Sequence, residues 1–285
     1  MLKAIEITTM VGCPLMCTYC PQDALKENYG KEMKYMSLET FKQIIDNTPS
    51  EYRIDFSGMA EAWVNPDCVA MFKYAMHEGH NAAIFTTFYN WNADTVRQMS
   101  ELISLYRSKI AMFKIHFPDA SNNMLGWKLT LEWEHAYLTM REVVKSAGIH
   151  YEEMTMSDYG VHPSIKHLPG IRLSHSWSCV AIDRADTLDV AQIKGQVINI
   201  SPRHSGPIRC TRLDNHNHVV LPTGDVVLCC NDYEMKHVLG NLKEQTITEI
   251  REGKPFQTLL QENAKSEFNT NSLCRTCNEA IKQGR

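Results

Sequence analysis

Eight of the ten cysteines in this 285-residue chain fall into two groups. Cys13-x3-Cys17-x2-Cys20 puts three thiols on one tight loop. Soft ligands in that number suit an iron–sulfur cluster or zinc. Structural zinc takes four ligands, and no further His or Cys lies nearby in sequence to complete the set. Three thiolates on a cubane cluster would leave one iron open, able to chelate an amine and a carboxylate. The second group is Cys210, Cys229, Cys230 and Cys274-x2-Cys277. Four of these thiols could hold a structural zinc or a cluster closed entirely by protein. Cys229 and Cys230 are adjacent on a predicted strand and so point to opposite faces; only one can join a site. Cys68 and Cys179 stand alone.

Composition favours metal or redox chemistry over a disulfide framework. The chain is 44% apolar and 22% charged, as in ordinary globular proteins. Its 29 Lys and Arg against 33 Asp and Glu leave a net charge of −4. That argues against a polybasic nucleic-acid or membrane-surface protein. No apolar run approaches the roughly 20 residues of a membrane helix, and Glu6 sits where a signal peptide would be apolar. The expected compartment is the cytosol, where so many cysteines read as metal or redox ligands.

The elements that must position the thiols alternate. Strands are expected at Ile5 to Thr9, Arg53 to Phe56, Asn81 to Thr87, Ile110 to Phe117 and His150 to Met156. Between them lie helices capped by Ser37, opened at Asn65-Pro66, running from Ala93 to Tyr106, and from Leu131 to Ala147. Repeated β-loop-α units at this spacing mean a parallel sheet, open or curled into a barrel. Chemistry in such folds sits at the carboxyl ends of strands, where the first cysteine group falls. From Asp158 to Ser205 the pattern breaks and no sixth strand is placed. Val219 to Leu221 and Val226 to Leu228 then flank Pro222-Thr223-Gly224-Asp225 as a hairpin. A helical stretch from Ile247 to Ala264 is broken at Gly253-Lys254-Pro255.

The pattern Cys13-x3-Cys17-x-Tyr19-Cys20 resembles the cysteine motif of the radical S-adenosylmethionine (SAM) enzymes, in which the aromatic packs near the adenine. Phe56-Ser57-Gly58-Met59-Ala60-Glu61-Ala62-Trp63 is similar to the family's Gly-Gly-Glu-Pro loop, with Ala60 and Ala62 in place of Gly and Pro. The resemblance implies that Glu61 receives the SAM amine and that Gly58 belongs to the same cradle; a solvated loop glutamate is the plainer alternative. Phe85-Thr86-Thr87-Phe88 stands where relatives carry Thr-Asn-Gly, implying a SAM contact for Thr87, although Thr is also a common strand former. Lys114 to Asp119 ends the fourth strand, where relatives touch the SAM ribose or the substrate; His116 or Asp119 could do so here. The alternative is a satisfied buried histidine.

Cys210-x13-Gly224-x4-Cys229 resembles the opening of the SPASM and Twitch extensions, with Gly224 needed for a turn of positive φ. Cys274 and Cys277 follow. A full SPASM set would continue, whereas this chain has Gln283 and stops at Arg285. That implies four ligands, Cys210, Cys229, Cys274 and Cys277, one auxiliary cluster and a Twitch arrangement, with Cys230 a buried small residue. The segment Val180 to Asp186 resembles the family's Ser-Arg-Ala-Gly stretch, with Asp183 and Asp186 departing from it. Arg184 would link barrel to cluster or meet substrate, the alternative being a surface ion pair.

The fold so implied is α/β: a partial (β/α)6 TIM-type barrel over residues 1–205, then a small Twitch extension, hairpin plus helix, over residues 206–285. It would hold two 4Fe–4S clusters, the first on Cys13, Cys17 and Cys20, together with SAM. The architecture resembles the 2-deoxy-scyllo-inosamine dehydrogenases in particular. Implied partners are a small sugar-like or aminocyclitol substrate and a low-potential donor such as flavodoxin or ferredoxin, with neither nucleic acid nor membrane. The first strand begins near Ile5, leaving no leading peptide-recognition domain, which favours a small substrate. In the implied reaction, reductive cleavage of SAM generates a radical that takes a substrate hydrogen. Loss of a second electron to the auxiliary cluster makes the reaction a dehydrogenation. Return of a hydrogen from a cysteine, with Cys179 the candidate, makes it an epimerisation. A peptide or natural-product maturase and a non-catalytic iron–sulfur or zinc protein are the remaining readings.

Overall fold

Alternation along the first strands sorts residues between two environments. Ile5, Ile7, Ile54 and Phe56 are buried in the main apolar core, while Glu6, Arg53 and Asp55 face an internal cavity. The structure, a computed structural model, describes residues 3–155, 159–173, 175–176, 184–185, 187–188, 207–210, 213, 217–277 and 280–282. Strands β1 (Ala4–Ile7), β2 (Arg53–Phe56), β3 (Ala82–Thr86), β4 (Ile110–His116), β5 (Tyr151–Thr155) and β6 (His175–Ser176) lie side by side in sequence order, all parallel. The two-residue β6 falls in the stretch whose composition hid any strand. Helices α1 (Gln22–Tyr29), α2 (Leu38–Asp46), α3 (Cys68–His77), α4 (Ala93–Leu105) and α5 (Leu131–Ser146) make the crossovers.

Local chemistry explains where the helices start. Ser37, Asn92 and Thr130 cap α2, α4 and α5 by accepting the amides of Thr40, Thr95 and Trp133. Asn65 accepts the amide of Asp67 through Oδ1 (2.9 Å), and through Nδ2 donates to the carbonyls of Thr9 and Met36. It therefore caps the approach to α3, which begins at Cys68 rather than at Pro66, and also ties that approach to the end of β1. Helix α1 was not legible in the sequence. It is eight residues long and buries only Gln22, Leu25 and Tyr29, a single narrow stripe.

The extension continues the same sheet. β8 (His218–Val220) pairs parallel with β1, placing Val219 opposite Glu6. β9 (Asp225–Val227) and β10 (Val238–Asn241) follow antiparallel. The sheet order is thus β10-β9-β8-β1-β2-β3-β4-β5-β6. Gly224 has φ +87°, and a Cβ there would meet Asn241 Oδ1 at 2.6 Å, so the turn accepts only glycine. β7 (Ile208–Arg209) and β11 (Ile281–Lys282) form a separate two-stranded pair. Helices α6 (Ile247–Glu252) and α7 (Lys254–Lys265) are separated at Gly253, with Pro255 in the first turn of α7. No helix among the described residues is long and apolar enough to cross a membrane.

Candidate active site

Cys13, Cys17 and Cys20 lie on the loop after β1 and line a cavity of about 380 Å³. The loop is braced from both sides. From the β4–α5 connection, Asn123 accepts the Thr18 amide through its carbonyl (2.9 Å), and the Gly126 amide donates to Leu15 O (2.8 Å). A Cβ on Gly126 would sit 2.0 Å from Pro14 O, so the two loops approach backbone to backbone. From α1, Gln22 Oε1 accepts the amides of Gly12 and Cys13 (3.3 and 3.2 Å), while Nε2 donates to Cys20 Sγ (3.2 Å) and to Met59 O. Gln22 was missed in the sequence because its helix was missed.

Glu61 follows β2 and is 6% exposed. Its Oε1 accepts from Thr86 Oγ1 (2.9 Å), and its Oε2 accepts from the amide and hydroxyl of Thr87 (both 2.8 Å). Burial pushes its carboxyl up to about 7, with the Thr87 and Thr86 donors opposing. The two threonines are bracketed by indoles: Trp63 Nε1 donates to Phe85 O (3.0 Å) and Trp133 Nε1 to Thr87 O (2.7 Å). Thr87 thus lies in the cavity wall, and its polar groups address Glu61. The Glu61 amide bonds Cys13, which joins the carboxylate loop to the cysteine loop. Gly58 has φ +75°, and an added Cβ would lie 2.3 Å from Thr8 Oγ1. Thr8 Oγ1 in turn accepts the Met59 amide (3.0 Å), so this turn requires glycine.

Tyr19 and His116 form another wall, stacked with centroids 5.4 Å apart and planes at 27°. Burial, then the charges of Lys114 and Arg184, push His116 down to about 4, so it is neutral at pH 7. Asp119 is fully buried and is used locally, accepting from Ser121 and Asn123. Arg184 also lines the cavity; its guanidinium donates to Asn231 Oδ1 (3.1 Å) and lies 5.9 Å from the Tyr233 ring centre. Asp183, Asp186 and Cys179 lie outside the described residues. The same cavity is also lined by Glu6, Arg53, Asp55, Ser57, Lys114 and Asn217. Arg53 and Asp55 form a two-point ion pair, Lys114 pairs with Glu152 at 2.6 Å, and the buried Ser57 hydroxyl has no partner among the described residues.

In the extension, Cys229 and Cys274 are buried, and Cys210 and Cys277 pack against the same core. The Asn263 side chain fixes the Cys210 backbone, its Oδ1 accepting the Cys210 amide (2.9 Å) and its Nδ2 donating to the Cys210 carbonyl (3.0 Å). The Cys274 thiol is pushed up, first by burial and then by its Cys210 and Cys277 neighbours. Bound metal inverts that preference by stabilising the thiolates. Cys229 and Cys230 follow β9 rather than lying on it, yet their environments still diverge. Cys230 is not a buried filler: it is half-buried and lines the cavity that holds Cys20. Among the described residues, no three His, Cys, Asp or Glu side chains are grouped to hold a single metal ion.

Residues 210–278 match the model of the SPASM iron–sulfur cluster-binding domain. No curated protein matches the chain at the level of sequence. The fold is similar to that of BtrN solved with AdoMet and 2-DOIA, with TM-score 0.60 and 17% identity over 99% of this chain and 94% of that one. It is also similar to anSMEcpe with bound AdoMet and the Cp18Cys peptide, with TM-score 0.53 and 14% identity over 97% of this chain and 88% of that one. The partial barrel with a SPASM/Twitch extension expected from the motifs is therefore present.

Proposed function

We propose that this chain is a radical SAM oxidoreductase acting on a small polar substrate, with two 4Fe–4S clusters. The observation that carries this reading is one cavity shared by the Cys13, Cys17 and Cys20 thiols and the Glu61 carboxylate, beside an iron–sulfur cluster-binding domain. The donor set fits. Three thiols leave one iron of a cubane for SAM, and the Glu61 carboxylate, desolvated and held by neutral donors, favours a cationic amine. Gly58 keeps the adjoining backbone close, and the Tyr19–His116 stack offers an apolar wall for a base. When bound, cluster and SAM supply the reductive cleavage and the hydrogen-abstracting radical. Cys210, Cys229, Cys274 and Cys277 would hold the auxiliary cluster.

The polar part of the cavity lining supports a hydroxylated, amine-bearing substrate, since Arg53, Asp55, Ser57 and Asn217 carry both donors and acceptors. BtrN was solved with 2-DOIA and AdoMet together, which supports the same class. The electron source would be a flavodoxin or ferredoxin. The test is anaerobic reconstitution followed by dithionite, SAM and an aminocyclitol panel that includes 2-deoxy-scyllo-inosamine. We expect 5′-deoxyadenosine together with a product two electrons more oxidised. Full iron loading without 5′-deoxyadenosine overturns the reading. Epimerisation has one observation in its favour: Cys230, rather than the undescribed Cys179, presents a thiol to the cavity. Hydrogen transfer from that thiol would leave a thiyl, restored by a proton and one electron from the low-potential donor. Deuterium from heavy water in an unoxidised, inverted product would decide for it.

Glu61→Gln tests the SAM amine site. The Thr86 hydroxyl can turn to accept from the new amide while Thr87 still donates to the remaining oxygen, so the loop survives and iron content is unchanged. Loss of one charge-assisted contact, about 1.5–3 kcal/mol, should weaken SAM binding by roughly 10- to 100-fold. Equilibrium SAM binding by the reconstituted variant measures this; loss of iron with affinity intact would place Glu61 in a different role.

A further inference from the structure

Tyr233 lies four residues beyond Cys229, in the extension, yet its side chain ends at the first cysteine loop. Its hydroxyl is 3.2 Å from Cys20 Sγ, and the residue is 3% exposed. It belongs to one buried apolar cluster with Val11, Leu25, Met59 and Val219, from the cysteine loop, α1, the Glu61 loop and β8. The Arg184 guanidinium lies over the ring and also bonds Asn231, whose amide Nδ2 is 3.9 Å from Cys277 Sγ. A chain of contacts therefore runs from a thiol of the first group to a thiol of the second.

The direction of the Tyr233 contact follows from the ligand state. A free thiol could donate or accept, whereas a cluster-bound thiolate can only accept. Gln22 Nε2 reaches the same sulfur at 3.2 Å, and its amide orientation is fixed because Oε1 accepts the Gly12 and Cys13 amides. Cys20 thus receives one hydrogen bond from α1 and another from the extension.

We infer that Tyr233 tunes the first cluster, donating a hydrogen bond to the Cys20 thiolate and raising the reduction potential of the SAM-binding cluster when the extension is seated. The inference rests on the proposed function, which makes Cys20 a cluster ligand. The physical reason is charge: one-electron reduction adds negative charge to the cluster sulfurs, and a donor aimed at one of them stabilises the reduced state. Tyr233 acts through Cys20 and is a positioning residue. Its hydroxyl links seating of the auxiliary domain to the ease with which the first cluster accepts its electron.

The test uses the full chain, anaerobically reconstituted, and a mediated reductive titration followed by electron paramagnetic resonance. Added SAM identifies the first cluster by the signal that it changes. In Tyr233→Phe the ring and its packing stay and only the hydroxyl is lost. We expect unchanged iron, a lower potential for the SAM-responsive signal, and an unmoved potential for the other. In deuterated buffer, one exchangeable deuteron coupling to the first cluster should disappear in the variant. Replacement of Tyr233 by 3-fluorotyrosine, a stronger donor of nearly the same shape, should move the potential the other way. This second variant decides the matter if the Phe variant fails to load iron. Unchanged potential with full iron in either variant, or an equal shift of both clusters, overturns the inference. Absence of any SAM-responsive signal in the unsubstituted chain overturns the proposed function, and this inference with it.

Discussion

Simultaneous replacement of Cys13, Cys17 and Cys20 by Ala should abolish 5′-deoxyadenosine formation and remove half of the iron. The two outcomes have separate causes. The three thiols share a loop that faces the cavity, whereas Cys229 and Cys274 are buried in the extension and do not line it. Emptying the first group leaves the second intact, so iron should fall from about eight to about four per chain. The remaining cluster should be indifferent to SAM, because protein fills all of its ligand positions. The substitutions should also be tolerated by the fold. The loop is held chiefly by Gln22, Asn123 and Gly126 through backbone groups, and these contacts do not need the thiols. Iron and sulfide analysis with product chromatography under dithionite checks both halves. Undiminished cleavage would remove the first group from the reaction; loss of all iron would show that the two groups depend on one another.

The adjacent pair Cys229 and Cys230 gives the second large effect. Cys229→Ala should cost the auxiliary cluster, about four irons, whereas Cys230→Ala should leave iron content whole. Burial pushes the Cys229 thiol far up, and its neighbours include Cys274. Cys230 faces the cavity with Cys20 and Tyr233. Retained iron in Cys229→Ala together with lost iron in Cys230→Ala would move the ligand set by one residue. Zinc in place of iron in the unsubstituted extension would make it a structural ribbon and end its role as electron acceptor.

The sequence by itself marked the two thiol groups and the β/α alternation that makes β1 to β5 a parallel sheet. Ligand spacing is a local property: Cys13, Cys17 and Cys20 share one loop, and apolar periodicity marks the strands and helices that flank it. The Gly224 turn and the break at Gly253 were legible for the same reason, since positive φ and an early proline are written in single residues. Tertiary structure alone decided what required distant segments to meet. That Thr86 and Thr87 hold Glu61, that Gln22 braces the cysteine loop, and that Tyr233 reaches Cys20 depend on strand register and loop approach, which carry no local pattern. The same holds for the docking of β8 against β1, which brings the extension into the barrel's own sheet. The spacing from Gly224 favours Cys229 over Cys230 in sequence, but that Cys230 lines the cavity instead of filling the core follows only from the turn after β9.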